Sequence, residues 1–528
     1  MDGVAALLRQ AVAEHRAGRM REAIRLYGKV LSMDPDNPDA LHLLGVVARR
    51  QGKLDLAIQL MRRALQKNPY LIDGYLNCGN TLFEAGRLEE AEDSFRRILR
   101  YDPGHVGVLA PLGRLLLRRG ALDEGEALLA RAFSDGDNPK GRLAMERTRR
   151  YRAIAEAAAN PSLPAGIVVR GVFRDSSGYA YKVRQFVRHL VKAGVSVQLM
   201  DLLYTPTENL PASQLDPLFE TLEAPVRAKA VLSFTTPLMV EAVPGLRTIN
   251  YTVFEATRIP PLWAAHSAQH DHVIVATPSS REAWIASGHP EDRITVCPEG
   301  VGVVGADVTR TEVVDDTGRR LLSYPTRFLN VSDFTPRKNL VGLLRVWLAS
   351  TQASDPAALV LKIGKGGDAA GEFRDFITQT AQSVGTPLEA AAPIFLIADK
   401  MSDDAMMSLI ASCTHYWSMS HGEGWDLPMA QAGAMGLTLI APRHSAYLAY
   451  LDDEDAHLLP CMVGPAANDY AGLDWWFPDE AAARALLERI IRDPQANRRS
   501  ARDRLLADFT WEKSAARLID ILSSINAL

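Results

Sequence analysis

Cysteine is scarce: Cys78, Cys297, Cys413 and Cys461 are the four in 528 residues, and no two form a CxxC pair. That spacing argues against a thiolate zinc cluster or a secreted disulfide framework and points to a reducing compartment. No uncharged apolar run reaches the roughly 18 residues needed to span a bilayer. The opening MDGVAALLRQAVAEHRAGRM lacks a basic segment followed by an apolar core, so a cytoplasmic chain without an integral membrane segment is expected. An excess of one charge is also missing, with 59 Lys and Arg against 63 Asp and Glu and a net charge of -4. This gives no general pull toward nucleic acid. No His-Glu constellation suggests zinc, and neither a metal nor a resident cofactor is expected.

The length exceeds a single hydrophobic core and implies about three or four compact units. The first is a repeat. Gly18, Gly52, Gly86 and Gly120 recur every 34 residues, in register with Gly45, Gly79 and Gly113, with Ala23, Ala57 and Ala91, and with Pro35, Pro69 and Pro103. Between these columns the text reads as paired amphipathic helices, with small residues where helices approach and proline after the second. Period and columns together resemble tetratricopeptide repeats, with about four copies over residues 1–139. Transferring that register places His15, Arg16, Arg49, Arg50, Phe83, Glu84, Leu117 and Arg118 on the concave face. A basic groove flecked with apolar residues suits an extended acidic or mixed peptide, although the same residues also fit a solvated helix face. KGRLAMERTRRYRAIAEAAAN then reads as a capping helix and PSLPAG as a linker, over residues 140–165.

From Gly166 the pattern alternates strand and helix. GIVVRGVF, VSVQLMDL, AVLSFT, RTINYTVF and HVIVATP read as strands of one α/β unit over 166–315. RFLNVSDF, ALVLKIGK, PIFLIA, THYWSMS and TLIAP read as strands of a second over 316–505. Two such units suggest twin Rossmann-like domains, with chemistry on the loops after strands. In FLNVSDFTPRKNLVGLL, Arg337 and Lys338 stand at the mouth of a helix, a place suited to phosphate. In THYWSMSHGEGWDLPMAQAGAMG a second strand runs through a glycine-flanked acid, Glu423, into another helix. GKGG at Gly364 to Gly367 lacks the spacing of a phosphate loop and reads as a turn. Trp475 and Trp476 fit core or a lid.

These two stretches, with NYTVFEATRIPPLW, VATPSS, VCPEGV and FTWEKSAARLIDIL, resemble the retaining GT-B glycosyltransferases of glycosyltransferase family 4 over residues 166–528. The resemblance implies two Rossmann-like domains, a nucleotide-diphosphate sugar held mainly by the second, and transfer with retention and no required metal. Carried over by position, Lys338 and Arg337 would neutralise the leaving diphosphate, and Glu423 would accept from sugar hydroxyls. Gly422, Gly424, Trp425 and Leu427, at the helix N-terminus, would face sugar and phosphate. Ser177 and Gly178 would approach the donor from the first domain. LIADKMSDDAMMSLIASC would cover the base, and residues 506–528 would pack back on the first domain.

Three positions depart from the family pattern. Its second glutamate falls on Gln431, whose single acceptor oxygen would cost on the order of 1 kcal/mol against a ribose diol. Its glycine-arginine pair falls on Ser332-Asp333, removing a cation. Its glycine after the aromatic falls on Asp426, whose carboxylate would read a sugar hydroxyl or cap the helix. With no histidine in AVLSFTTPLMV, Glu255 is the acceptor-side candidate. A repeat solenoid joined to such a transferase is similar in plan to protein O-GlcNAc transferases and flagellin-modifying transferases. The expected function is sugar transfer to a protein, such as flagellin or another surface protein, held by the repeats. The alternatives are a lipid-linked or polysaccharide acceptor, with the repeats recruiting a partner, and a non-catalytic scaffold.

Overall fold

The computed structural model describes all residues except Met1, 134–138, Ser176, 203–214, 304–307, 365–368, 468–469 and 471. Part of the GKGG turn therefore lies outside the described residues. By contacts the chain forms two compact units. One comprises Met1–Ala159 with Leu238–Leu246 and Ala265–Gln269, and the other comprises Asn160–Pro237, Arg247–Ala264 and His270–Leu528.

The first unit is helical. It contains α1 (Asp2–Arg16), α2 (Met20–Met33), α3 (Pro38–Arg50), α4 (Leu54–Lys67), α5 (Ile72–Glu84), α6 (Leu88–Tyr101), α7 (Val106–Arg118), α8 (Leu122–Ala132) and α9 (Pro139–Ala158). The glycine column inside each pair turn has φ of 76°, 74°, 73° and 81° at Gly18, Gly52, Gly86 and Gly120, a left-handed conformation that disfavours any residue with a Cβ. A second column sets helix separation: a Cβ on Gly79 of α5 would lie 2.5 Å from the Phe95 ring of α6. The helix expected to cap the repeats, α9, belongs to this unit, and two later segments complete it. Ala242 N donates to the Arg118 carbonyl at 3.1 Å, and Gln269 Nε2 donates to the Gly86 carbonyl at 2.6 Å. Arg147 and Tyr151 of α9 both bind Glu241.

The second unit holds two sheets. The first uses β1 (Ala165–Gly171), α10 (Gly178–Lys192), β2 (Ser196–Asp201), α11 (Leu218–Thr221), β3 (Arg227–Phe234), β4 (Arg247–Thr252), α12 (Pro261–Ser267), β5 (His272–Val275), α13 (Pro278–Ala286) and β6 (Ile294–Val296). Its strands run parallel in the order β2-β1-β3-β4-β5-β6. The second sheet uses β7 (Thr326–Ser332), α14 (Leu340–Ser350), β8 (Ala357–Ile363), α15 (Ala369–Val384), β9 (Ile394–Ile397), α16 (Asp403–Ala411), β10 (His415–Trp417), α17 (Leu427–Ala434), β11 (Thr438–Pro442), α18 (Tyr447–Tyr450) and β12 (His457–Leu459). Its parallel order is β12-β11-β10-β7-β8-β9, so the direction of winding reverses between β7 and β10. Such a reversal opens a crevice at the carboxyl ends of the two strands.

A hairpin follows, β13 (Cys461–Pro465) with β14 (Asp474–Pro478), and then α19 (Glu480–Arg492), α20 (Arg502–Asp508) and α21 (Trp511–Ser524). The last helix leaves the second sheet and joins the first. Trp511 meets Phe186 of α10 edge-on at 5.3 Å, and Leu518, Ile521 and Leu522 enter the same core. The architecture is thus a helical tetratricopeptide array followed by an α/β portion with two parallel doubly wound sheets, the GT-B plan expected above.

Candidate active site

The reversal between β7 and β10 brings together the two stretches singled out in the sequence. After β7, Pro336–Lys338 form one 3-10 turn, and Asn339, at φ 49°, caps α14 by accepting from Gly342 N at 3.1 Å. Asn339 Nδ2 also donates to the Met419 carbonyl at 3.0 Å, tying this turn to the loop after β10. Arg337 and Lys338 therefore project from a rigid turn instead of a helix end. Lys338 Nζ donates to Glu423 Oε1 at 2.6 Å, and the Arg337 guanidinium donates to Glu423 Oε2 at 3.0 Å and to the Gly422 carbonyl at 2.6 Å. Burial pushes the Glu423 carboxyl up, but Lys338 and Arg337 outweigh it and hold the group well below the ordinary carboxylate range.

The glycines around Glu423 answer to the protein's own backbone. A Cβ on Gly422 would overlap the Glu255 carbonyl oxygen, and one on Gly424 would sit 2.5 Å from Val253 Cβ. Sequence analysis assigned them to ligand approach; the structure shows that they let the loop from one sheet close on the loop after β4 of the other. Gly422→Ala is expected to destabilise the chain by about 1–3 kcal/mol through overpacking, read as a lower urea midpoint at unchanged slope.

Asp426 lies at φ 62° and begins α17, accepting from Met429 N at 3.3 Å and from the Tyr447 hydroxyl at 2.8 Å. Burial and the neighbouring Glu423 charge raise its pKa. Gln431 has a different occupation from the nucleotide contact expected of it. Its Oε1 accepts from Gly302 N at 2.7 Å and its Nε2 donates to the Gly302 carbonyl at 3.1 Å, a pairing that a carboxylate could not complete. Trp425 is buried against Tyr450 and Phe509, and its indole N–H has no partner among the described residues.

From the first sheet, Ser177 caps α10 by accepting from Ala180 N at 3.1 Å, and among the described residues Gly178 has only Leu427 near its missing side chain. Glu255 accepts from the Tyr470 hydroxyl at 2.9 Å and lies 3.7 Å from the Arg337 guanidinium. These groups surround a cavity of about 500 Å³ between the sheets. Of the donor-site residues expected from sequence, Ser177, Gly178, Arg337, Lys338, Glu423, Gly424, Trp425, Asp426, Leu427 and Gln431 line it, as does Glu255, while Gly422 does not. Met401, Met406 and Met407, from the stretch expected to cover the base, line it as well.

Other lining groups were missed. Lys182 of α10 and Glu299, 117 residues apart, form a 3.0 Å ion pair with both side chains 3% exposed. Lys362 also lines the cavity. Its signal was present as the only charge inside the apolar run ALVLKI.

His421 and His444 brace the loop. His444 Nε2 donates to the Ser420 carbonyl at 2.8 Å, its Nδ1 lies 2.7 Å from Ser445 Oγ, and its ring stacks on Trp476 at 5.1 Å. His421 stacks on Trp475 at 5.7 Å. Burial lowers the His444 pKa to about 4 and that of His415 in β10 to about 3. A depressed folded pKa means that the unfolded chain takes up the proton first. Their stabilisation is present above about pH 6.5 and is lost as pH falls through the folded values. The urea midpoint is expected to drop between about pH 7 and about pH 4.5, and His444→Gln to flatten part of that slope.

In the first unit the expected peptide groove is not a free basic strip. Arg49 donates to Glu84 at 2.9 Å, and the Arg118 guanidinium lies 5.8 Å from the Phe83 ring centre. Arg118 also meets His266, whose Nε2 is 3.4 Å from the Glu84 carbonyl. His15 packs on Tyr27, with its Nδ1 3.2 Å from the hydroxyl, whereas Arg16 and Arg50 are exposed.

Among the described residues no helix is long and apolar enough to cross a membrane. Residues 4–72 match one tetratricopeptide-repeat family profile, and residues 48–101 and 82–147 match another. No curated protein matches the chain. Among solved structures, a variant of the Thermobaculum terrenum O-GlcNAc transferase is similar over 99% of this chain and 97% of its own, at 16% identity and a TM-score of 0.42. Anabaena HepE in complex with UDP and glucose is similar over 68% of this chain and 99% of its own, at 12% identity and a TM-score of 0.46. The sucrose-phosphate synthase of Thermosynechococcus elongatus is similar over 69% of this chain and 99% of its own, at 15% identity and a TM-score of 0.49.

Proposed function

We propose that this protein is a glycosyltransferase that moves a sugar from a nucleotide-diphosphate sugar to a polypeptide acceptor. The observation that carries this reading is the cluster of buried Glu423 with the half-buried Arg337 and Lys338 at the carboxyl ends of β7 and β10, where the winding of the second sheet reverses. Two fixed cations suit a diphosphate, and an acid kept ionised beside them suits sugar hydroxyls. In the reaction the bond from the anomeric carbon to the phosphate oxygen breaks, and its electron pair leaves on the nucleoside diphosphate. The acceptor atom bonds to the anomeric carbon, and its proton passes to the departing diphosphate oxygen. Negative charge grows on the diphosphate, so Lys338 and Arg337 stabilise the transition state more than the bound donor. Retention of configuration and independence of metal follow from the family resemblance and belong to the same proposal.

The repeats would supply the acceptor, a flagellin or another surface protein, by raising its effective concentration. Arg16 and Arg50 are the exposed cations for an acidic segment. Charge reversal at both is expected to raise the KM for protein acceptor by about tenfold while donor hydrolysis keeps its rate. Equal loss of both activities would contradict acceptor docking there. The general test offers the full chain labelled uridine, guanosine, thymidine, adenosine and cytidine diphosphate sugars together with cell extract. Label on protein supports the proposal. Label in organic-soluble or glycan fractions identifies a lipid-linked or polysaccharide acceptor, and no consumption of any donor leaves the scaffold reading.

A further inference from the structure

Side chains of β8 alternate between two faces. Leu359, Leu361 and Ile363 enter one core beside Phe328 and Trp347, while Ala358 and Val360 enter the other beside Leu329 and Met429. Lys362 is the next residue on the second face. It stands at the carboxyl end of the strand, beside Val331 of β7, and is only 4% exposed. A valine or leucine would complete the row, so sheet packing gives no reason for an ammonium there. Its Nζ donates to the Ile363 carbonyl at 2.6 Å, which leaves two of the three N–H groups of an ammonium. No ion pair joins it to a carboxylate among the described residues. Burial pushes its pKa down, and the more distant Asp399 and Asp333 carboxylates counter this.

A buried ammonium with spare donors on a cavity wall is completed by an anion. The cavity is the one lined by Arg337 and Lys338. We propose that Lys362 binds a phosphate of the donor and is the third cation of its diphosphate site. The inference rests on the nucleotide-sugar reading. It also accounts for the acid at position 333: the charge absent from the end of β7 is supplied by the neighbouring strand. Asp333 itself lies so close to Gly364 that a Cβ there would overlap its carboxylate.

The test is calorimetric titration of the full chain, Lys362→Met and Lys362→Arg with UDP, GDP, dTDP, ADP and CDP, with the matching nucleosides, and with inorganic pyrophosphate. Lys362→Met should weaken the preferred nucleoside diphosphate by about 10- to 100-fold and leave its nucleoside unchanged, with Lys362→Arg retaining most of the affinity. Thermal unfolding of both variants checks the fold. Equal losses for nucleoside and diphosphate, or an unchanged diphosphate affinity, would overturn the role of Lys362 alone. Lys362-dependent binding of pyrophosphate without binding of any nucleoside diphosphate would keep the anion site and remove the nucleotide-sugar reading. No binding of either would remove both.

Discussion

Lys338→Ala should lower kcat for sugar transfer by about 100- to 1,000-fold while the chain stays folded. The fold tolerates the change because Glu423 keeps its 3.0 Å bond to the Arg337 guanidinium and is not left as an unpaired buried charge. Under the proposed function catalysis would not tolerate it, since Lys338 is a point charge on a rigid turn, where the leaving diphosphate would gain negative charge. A loss confined to KM would mean that Lys338 binds donor and transition state equally. Steady-state rates at saturating donor separate these outcomes, and an unchanged kcat would remove Lys338 from the chemistry.

The largest stability effect is expected at Lys182→Met, a loss of about 3–5 kcal/mol. The Lys182–Glu299 pair is almost wholly withdrawn from water, and burial already raises the Glu299 pKa. The ammonium also lies 4.3 Å from the Tyr179 ring centre and 5.2 Å from that of Tyr251, contacts that favour a cation at this point. Without Lys182, Glu299 must either stay charged and unpaired or take up a proton. The deficit should therefore shrink as pH falls toward about 5, because a raised folded pKa favours the folded state at low pH. Adding Glu299→Leu should recover most of the loss, since replacing both charges removes the unpaired group. Urea unfolding of the single and double variants measures this, and additive losses would contradict the account.

The parts legible in the sequence have local or periodic causes. The 34-residue glycine column was visible because each copy needs the same left-handed turn, and Gly18, Gly52, Gly86 and Gly120 all adopt it. Five of the six strands in each sheet were visible because buried parallel strands are apolar runs bounded by turns, whereas the three-residue edge strands β6 and β12 are too short to give such a run. That Arg337, Lys338 and Glu423 belong to one place was implied by the family resemblance of their two loops, and the strand order explains why loops some 85 residues apart converge.

What was not legible depends on distant partners. Nothing in YKVRQFV or VCPEGV says that Lys182 meets Glu299. That Gly422 and Gly424 lack side chains because the Glu255 carbonyl and Val253 press against them could not be read from their own stretch, although Gly424 also lines the cavity. Gln431 looked like a weakened ribose contact, and only Gly302 gives its amide a reason. That Arg118 of the expected groove meets His266 was not legible, because residues 265–269 lie far away in sequence. Lys362 was in plain view, yet an alternating face can be assigned only when the register of β8 against β7 is known.

The central claim is that the cavity between the sheets handles a nucleotide-diphosphate sugar through Lys338 and Glu423. Its most direct test is release of nucleoside diphosphate from a panel of labelled donors by the full chain, with Lys338→Ala in parallel. The account predicts that donors of one base class are consumed, with label appearing on polypeptide, and that Lys338→Ala loses this by about 100-fold or more. Consumption at the same rate by Lys338→Ala, or no consumption and no stabilisation of the wild-type chain by any donor, would contradict it.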